Sequence, residues 1–169
     1  TDLSPLLEIL PFEPTGAQKR AFTDIAKDMS SERPMMRLVS GDVGSGKTAV
    51  YLTLAHRVLA EGLRCIVLVP EISLTPQTIR RFLAAFGSRV AVIHSALSLS
   101  ERLDEYKRIR RGEVDVVVGT RSAVFAPVEN LGLIIVDEEQ EHTYRSERAP
   151  RYDACEIARL RTRRHRGLC

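Results

Sequence analysis

The 169-residue sequence lacks any apolar run near the roughly 20 residues that a membrane-spanning helix requires. It also lacks a CxxC pair, because its three cysteines, Cys65, Cys155 and Cys169, lie far apart. A structural zinc site is therefore not expected, and an odd number of separated cysteines is typical of a reducing cytoplasm. No internal repeat or low-complexity linker interrupts the sequence. We therefore expect a single domain over residues 1–169.

Positive charge exceeds negative charge only slightly, with a formal net charge of +3, but the charged residues are unevenly distributed. Arginines crowd the C-terminal part of the chain: Arg145, Arg148, Arg151, Arg159, Arg161, Arg163, Arg164 and Arg166. Such a cluster fits a partner rich in phosphate, and it also fits a solvated helix face. Charge alone does not separate these two interpretations.

Short apolar runs alternate with segments of helical periodicity along the chain. The runs predict strands at Met35–Ser40, Arg64–Pro70, Arg89–His94, Glu113–Thr120 and Gly132–Asp137. The periodic segments predict helices at Lys47–Ala60, Leu74–Phe86, Ser100–Arg111 and Asp153 to about Arg164. Strands that are apolar throughout and separated by helices predict an α/β fold, a three-layer sandwich with a mostly parallel sheet and helices on both faces.

The unusual residues of this sequence follow the predicted strands. Pro70 and Glu71, His94, Thr120 and Arg121, and Asp137 and Glu138 all stand where a strand ends. Ligands of open parallel sheets bind at the carboxyl ends of the strands. We therefore expect one edge of the sheet to be the working face. His94 has no partner for a metal site and is expected to bind backbone or to cap a helix.

The segment GDVGSGKT matches the P-loop pattern in full. Its residues are Gly41, Asp42, Val43, Gly44, Ser45, Gly46, Lys47 and Thr48. An apolar run leads in and an amphipathic helix leads out, which is the context that the motif requires. The glycines let backbone N–H groups point at phosphate oxygens, and the helix adds its positive N-terminus. Lys47 is expected to reach the β- and γ-phosphates, and Thr48 to hold Mg²⁺.

The segment GLIIVDEEQ supplies an acidic pair after an apolar strand. Asp137 is expected to hold Mg²⁺ beside the P-loop, and Glu138 to polarise an attacking water. A solvated acidic turn is the alternative, because Glu139 and Glu141 add further charge. Asp-Glu at this position, after a P-loop, is typical of helicase and translocase motors.

Two further loops carry residues that suit a nucleic-acid backbone. They are LVPEISLTPQ, with Pro70, Glu71 and Thr75, and VGTRSAVFAP, with Thr120, Arg121 and Ser122. Short hydroxyls and an arginine can donate to phosphate oxygens without reading bases. Each hydroxyl alone is as well explained by a turn or a helix cap, and Ser73 in particular is a candidate cap.

From about Cys65 onward the chain resembles the first motor lobe of the primosomal replication-restart helicases, the PriA family of superfamily 2. The matching segments are LVPEISLTPQT, FGSRVAVIHSALSLSER, VDVVVGTRSAVFAP, LGLIIVDEEQEHTYRSE and PRYDACEIARLR. The earlier segments LPFEPTGAQKRAFTDIAKDM and PMMRLVSGDVGSGKT resemble the branch-migration helicases of the RecG family instead. In the PriA family this region reads more like GVTGSGKTEVYL, so Asp42 and Val43 depart from it.

The resemblance implies roles for several further residues. Gln18 matches the glutamine that recognises the adenine edge, although a surface glutamine on an amphipathic helix is the alternative. The loop from Gln140 to Asp153 matches an aromatic-rich coupling loop, in which His142 and Tyr144 stack on an unpaired base. Gln140 stands where a γ-phosphate sensor is expected. A packed surface loop is the alternative for His142 and Tyr144.

The resemblance also implies function. We expect the ATP-binding motor lobe of an ATP-dependent DNA helicase that acts at forks in replication restart, with ATP and Mg²⁺ as cofactors. A RecG-type lobe is the alternative, as is a stand-alone P-loop ATPase or nucleotide switch that does not act on DNA. The expected partners are forked or single-stranded DNA, primosome proteins and single-strand-binding protein, in the bacterial cytoplasm near the nucleoid. We expect a fragment whose second lobe lies elsewhere, so that the chain alone hydrolyses ATP slowly or not at all.

Overall fold

A computed structural model describes residues 13–31, 36–41 and 46–165 of the chain. Over these residues the strands are β1 (Arg64–Leu68), β2 (Val90–Ile93), β3 (Val116–Gly119) and β4 (Leu131–Val136). They form one parallel sheet in the order β2–β3–β1–β4. Aliphatic residues dominate the strands, because a sheet that is covered on both faces has no solvated side for polar residues.

Helices precede, separate and follow the strands. They are α1 (Gly16–Met29), α2 (Lys47–Ala60), α3 (Pro76–Phe86), α4 (Leu99–Arg110) and α5 (Ala154–His165). The bounds of α2 are those that the sequence predicts, and Gly62, with a φ of 76°, terminates it in the left-handed conformation that glycine tolerates. Within residues 13–31, 36–41 and 46–165, no helix is both long enough and apolar enough to cross a membrane.

The two faces of the sheet each support a separate hydrophobic core. Along β1, Cys65 and Val67 point to one face, while Ile66 and Leu68 point to the other. The first core lies under α1, α2 and α3, which contribute Phe22, Leu54 and Phe82. The second lies under α4 and α5, which contribute Ile109 and Ala158. The predicted three-layer α/β sandwich is therefore confirmed.

Two helices begin at residues other than those expected. In α4 the cap is Ser98 rather than Ser100, because the Ser98 hydroxyl accepts a hydrogen bond from the Glu101 N–H at 3.2 Å while the Glu101 carboxylate accepts one from the Ser98 N–H at 2.8 Å. This reciprocal pair is a capping box. In α3 the cap is Thr75 rather than Ser73. In α4 the Glu101 side chain completes the capping box, whereas in α3 the Thr75 hydroxyl only accepts from the Thr78 N–H at 3.2 Å.

The strand predicted at Met35–Ser40 is not observed over its described residues. Residues 36–40 have no regular secondary structure, and Leu38 is 81% exposed. The Arg37 guanidinium pairs with Asp28 at 2.5 Å and lies 3.8 Å from Asp24, both on α1. These contacts hold the segment against α1 instead of a strand edge. An apolar run forms a strand only where a neighbouring edge receives its backbone hydrogen bonds.

Arginines of the C-terminal cluster make contacts within the chain. The Arg161 guanidinium donates to the carbonyl oxygens of Val124 and Ala126 at 2.6 and 2.8 Å. Arg159 pairs with Glu139 at 3.2 Å. These two side chains help to attach α5 to the loop segments that follow β3 and β4. Part of the cluster therefore has a structural explanation.

The burial of His56 predicts a pH dependence of stability. The Nε2 atom of His56 is buried without a hydrogen-bond partner among the described residues, and burial lowers the pKa of the imidazole. The unfolded chain, with a histidine pKa of about 6.5, therefore binds this proton more readily than the folded chain. The contribution to stability is present above pH 6.5 and is lost as the pH falls below it.

We expect His56→Phe, which keeps an aromatic ring against Phe86 at the 4.4 Å centroid distance, to weaken this acid sensitivity. The measurement is the free energy of unfolding in urea at pH 7.5 and pH 5.5. His142→Gln, at an exposed position, is the matched control and should keep the dependence of the wild type. An equal loss of stability on acidification in His56→Phe and wild type would contradict the assignment.

Candidate active site

The register of the parallel sheet brings the ends of all described strands to one edge. Leu68 of β1 lies opposite Gly119 of β3 and Val136 of β4, and Ile93 of β2 also lies opposite Gly119. The segments that follow the strands therefore begin side by side. The predicted positions after the strands share this edge: Pro70, Glu71, His94, Thr120, Arg121, Asp137 and Glu138. The prediction of a common edge is confirmed.

The end of the P-loop lies against α1. Asp42, Val43, Gly44 and Ser45 lie outside the described residues, whereas Gly41 and Gly46–Thr48 lie within them. Gly46 has a φ of 79°, and a Cβ atom there would collide with the Nε2 atom of Gln18. The backbone conformation therefore favours glycine, and the Gln18 amide would have to move to admit a side chain at this position. Gln18 is 8% exposed, and its Oε1 atom accepts a hydrogen bond from the Thr15 N–H at 2.8 Å.

Lys47 and Glu138 meet at the N-terminus of α2. The Nζ atom of Lys47 lies 2.9 Å from Oε1 of Glu138, although 91 positions separate the two residues. The Gln140 amide donates to the other carboxylate oxygen at 2.6 Å. Chiefly because of the hydrogen bond from Lys47, the pKa of Glu138 lies below its usual value. The structure thus joins a predicted phosphate ligand, a predicted base and a predicted sensor.

The backbone of Glu138 adopts a conformation that few side chains accept. Its φ is 49°, in the left-handed region, and its N–H donates to Oδ1 of Asp137 at 3.1 Å. A non-glycine residue held in this region is commonly found at functional sites. The turn directs the two adjacent carboxylates to different partners, Glu138 to Lys47 and Asp137 to Tyr51.

Asp137 is connected to Thr48 through Tyr51. The Tyr51 hydroxyl lies 3.2 Å from Oδ2 of Asp137 and 3.1 Å from Oγ1 of Thr48. Burial raises the pKa of Asp137, and burial is also the main reason that the pKa of Tyr51 is raised to about 12. The sequence argument does not identify Tyr51 as a site residue. Its spacing of three from Thr48, which puts both on one helix face, is the signal that points to it.

Tyr144 is buried, so the prediction that its ring stacks on an unpaired base is wrong for this structure. It is 1% exposed and belongs to the core under α4 and α5. Its hydroxyl lies within hydrogen-bonding distance of the carbonyl oxygens of Leu68, at 3.1 Å, and of Asp137, so its single hydrogen is shared between them. The physical reason is that the ring fills the core at the ends of β1 and β4 while the hydroxyl satisfies backbone acceptors there. His142 in the same loop is exposed.

The residues predicted to touch a nucleic-acid backbone separate into exposed and buried groups. Pro70 and Thr120 are buried, so their side chains do not reach a partner, and this part of the prediction is wrong. Thr120 directly follows β3 and Pro70 lies two residues after the end of β1, where the core still covers them. Thr75 is exposed but caps α3 through the Thr78 N–H at 3.2 Å. Glu71 is exposed and accepts a hydrogen bond from Ser95, in the loop after β2.

Arg121 and Ser122 occupy the short helix after β3. Ser122 is half-buried. The Arg121 guanidinium donates to the carbonyl oxygens of Thr143 and Arg145 at 3.2 and 2.8 Å, and it lies 5.9 Å from the ring centre of Tyr152. Arg121 therefore holds the loop that contains Tyr144. His94 uses its Nδ1 atom to accept a hydrogen bond from the Ala96 N–H at 3.2 Å, which is a contact within its own loop.

Comparisons with known proteins agree on one group of enzymes. The sequence model of the DEAD/DEAH box helicases matches residues 15–166. Replication restart protein PriA of Bacillus subtilis (strain 168) is 52% identical over 155 residues, which are 92% of this chain and 19% of the relative. The PriA protein of Treponema pallidum (strain Nichols) is 46% identical over 147 residues, which are 87% of this chain and 22% of the relative.

A solved structure is similar as well. The structure of RecG bound to a three-way DNA junction aligns with a TM-score of 0.70 and 38% sequence identity. The alignment covers 80% of this chain and 19% of RecG. The chain spans about a fifth of the length of these relatives.

The buried hydroxyl of Tyr144 predicts a measurable contribution to stability. We expect Tyr144→Phe to lower the free energy of unfolding by about 1–2 kcal/mol, because a buried acceptor at Asp137 loses its donor while the ring remains packed. Urea unfolding monitored by circular dichroism measures this loss. Tyr152→Phe is the matched control and should change stability by less than about 0.5 kcal/mol. Equal effects of the two substitutions would contradict the assignment.

Proposed function

The chain belongs to the DEAD/DEAH box helicase family, and we propose that it is the ATP-binding first lobe of a DNA helicase that acts at forks in replication restart. The observation that carries this proposal is the contact of Lys47 with Glu138 beside Asp137. A P-loop lysine and an adjacent acidic pair supply the parts that hydrolysis of a bound nucleotide requires. The similarity to the PriA proteins supports the replication-restart role.

Nucleotide binding is proposed for the segment Gly41–Thr48 together with Gln18. Gln18 is proposed to pair its amide with the adenine edge, as the family resemblance implies. In this structure the amide lies against Gly46 of the P-loop, which supports a place beside the nucleotide. Lys47 would bind the β- and γ-phosphates. The negative charge of the phosphates then replaces part of the negative charge that Glu138 now presents to Lys47.

Mg²⁺ is the proposed cation of this site, with Thr48 and Asp137 as its protein ligands. Hydroxyl and carboxylate oxygens are the ligand types that Mg²⁺ prefers, and both residues contact the same Tyr51 hydroxyl. Among the described residues no group of three His, Cys, Asp or Glu side chains forms a metal site. Bound at this edge, the ion would neutralise charge on the phosphates. Phosphate and water oxygens would complete its coordination.

Glu138 is the proposed base that polarises the attacking water, and Gln140 the proposed sensor of the γ-phosphate. The hydrogen bond between their side chains supports a shared role. Because the pKa of Glu138 lies below its usual value, the carboxylate is ionised at neutral pH, and it is a weak proton acceptor while Lys47 holds it. Lys47, which now holds this carboxylate, is also the group that a phosphate would attract.

DNA is the proposed polymer partner, contacted through its backbone by Glu71, Thr75, Arg121 and Ser122, with His142 stacking on an unpaired base. All five belong to segments at the carboxyl edge of the sheet. Thr75 can accept from its helix and still donate its hydroxyl proton outward. Arg121 uses its Nη1 atom for the loop carbonyls, and its Nε and Nη2 atoms carry further N–H donors. The printed title of the RecG structure, with its DNA junction, supports a DNA partner.

We also propose a larger protein around this lobe, because the chain spans about a fifth of the length of the PriA relatives. A second lobe would close over the nucleotide and supply arginine side chains that stabilise transition-state charge. Primosome proteins and single-strand-binding protein are the proposed protein partners, in the bacterial cytoplasm near the nucleoid. The chain by itself would then bind Mg-ATP weakly and hydrolyse it slowly or not at all.

A RecG-type branch-migration lobe is the second candidate. Two observations favour it: the segment GDVGSGKT differs from the PriA pattern at Asp42 and Val43, and RecG aligns at 38% identity. Fork binding by the full-length protein, measured with and without primosome proteins, separates the two candidates. Enhancement by primosome proteins is expected for the replication-restart role and not for the RecG type.

The first test is nucleotide binding and ATP hydrolysis by the chain, with and without forked DNA. We expect binding of Mg-ATP without readily measurable turnover. Lys47→Ala should weaken nucleotide binding about ten- to hundredfold, the value of a charge-assisted hydrogen bond or two. Fluorescence titration with labelled ATP measures the affinity, and phosphate release measures turnover.

The matched control is Lys19→Ala, which removes an exposed lysine of α1 that pairs with Glu13 at 3.2 Å. Its nucleotide affinity should equal that of the wild type. DNA-stimulated turnover by the chain that disappears in Lys47→Ala would show that the chain completes its own site, against the two-lobe proposal. Equal affinity in wild type and Lys47→Ala would refute the proposed nucleotide site itself.

A further inference from the structure

Tyr51 lies between the two residues that are proposed to hold the cation. It follows Thr48 by one turn of α2, and its hydroxyl faces Asp137 at the end of β4. The side chain is 8% exposed, and its ring stacks on Phe82 with an interplanar angle of 11° and a centroid distance of 6.4 Å. Packing thus fixes the ring, and the ring fixes the position of the hydroxyl.

The hydrogen count of the phenol determines the direction of both hydrogen bonds. A phenol has one O–H, and the carboxylate of Asp137, at 3.2 Å, is an acceptor only. The single hydrogen of Tyr51 is therefore donated to Asp137. At 3.1 Å the remaining contact requires Thr48 to donate its own hydroxyl hydrogen to the oxygen of Tyr51.

Because Thr48 is the donor in its hydrogen bond with Tyr51, the Thr48 oxygen is able to bind a cation. Because its hydrogen points at Tyr51, its lone pairs point elsewhere, and lone pairs are what a metal ion binds. The carboxylate of Asp137 is held at both ends, by Tyr51 at Oδ2 and by the Glu138 N–H at Oδ1. Its plane is therefore fixed before any ligand arrives.

We propose that Tyr51 is a positioning residue of the cation site, which orients Thr48 and Asp137 through its hydroxyl so that a divalent ion adds to a bound nucleotide. This inference rests on the proposed nucleotide and Mg²⁺ binding. This role belongs to the hydroxyl of Tyr51 and not to its ring, since a phenylalanine ring would pack on Phe82 equally well. Groups that orient metal ligands typically contribute about tenfold or more to metal affinity.

The test compares nucleotide affinity in Mg²⁺ with affinity in EDTA, using a fluorescent, non-hydrolysable ATP analogue and the full chain. The quotient of the two affinities measures the gain due to the cation. We expect Tyr51→Phe to reduce this gain about tenfold and to leave the affinity in EDTA within about twofold of the wild type. A loss of packing would lower both affinities together.

Tyr106→Phe is the matched control, because Tyr106 packs against the other core and its hydroxyl lies on the opposite face of the sheet. Tyr51→Met, which fills space flexibly without a hydroxyl, is a second variant in case the first folds poorly. Both variants of Tyr51 should show the reduced gain, and Tyr106→Phe should show the gain of the wild type.

Three results would overturn the inference. A gain in Tyr51→Phe equal to that of the wild type would overturn it while leaving the proposed function intact. Absence of any Mg²⁺-dependent gain in the wild type would overturn both, because no cation would then depend on Tyr51. A reduced gain in Tyr106→Phe of equal size would also overturn it, since any lost hydroxyl would have the same effect.

Discussion

The geometry of the site depends on one acceptor, the carbonyl oxygen of Leu68 at the end of β1. It accepts a hydrogen bond from the Asp137 N–H at 2.9 Å and another from the Tyr144 hydroxyl at 3.1 Å. The first bond continues the pairing of β1 with β4 by one residue, so it fixes the position of Asp137 at the carboxyl edge of the sheet. The second bond attaches the loop that follows Asp137 and Glu138 to the same carbonyl oxygen. Residues distant in sequence thereby become one rigid edge.

Local patterns in the sequence predicted the elements and the edge on which the chemistry lies. The P-loop spacing and the apolar face of Lys47–Ala60 determine α2, whose bounds agree with the prediction. Apolar runs identified β1 to β4 to within a few residues, because a parallel strand covered on both faces has a distinct composition. Since carboxyl ends of parallel strands meet at one edge, the convergence of Lys47 with Glu138 followed in outline from those two patterns.

Side-chain direction and burial were not predictable in the same way. The ring of Tyr144 has an apolar body and a polar end, so its sequence position is equally compatible with a core or a stacking role. The contact of Tyr51 with Asp137 joins residues 86 positions apart and depends on how α2 packs on the sheet. The exposed segment 36–40 shows the converse case, in which an apolar run has strand composition but no adjacent edge. In all three cases tertiary packing decides what composition leaves open.

The ion pair of Lys47 with Glu138 has a consequence for the basicity of the glutamate. Its pKa is low chiefly because the lysine hydrogen bond stabilises the carboxylate, and that lysine is the group a triphosphate would attract. As Lys47 turns to phosphate, Glu138 loses part of the positive charge that weakens it as a base. Binding of the substrate would therefore raise the basicity of Glu138. In the empty site the contact with Lys47 would keep the glutamate a weak base.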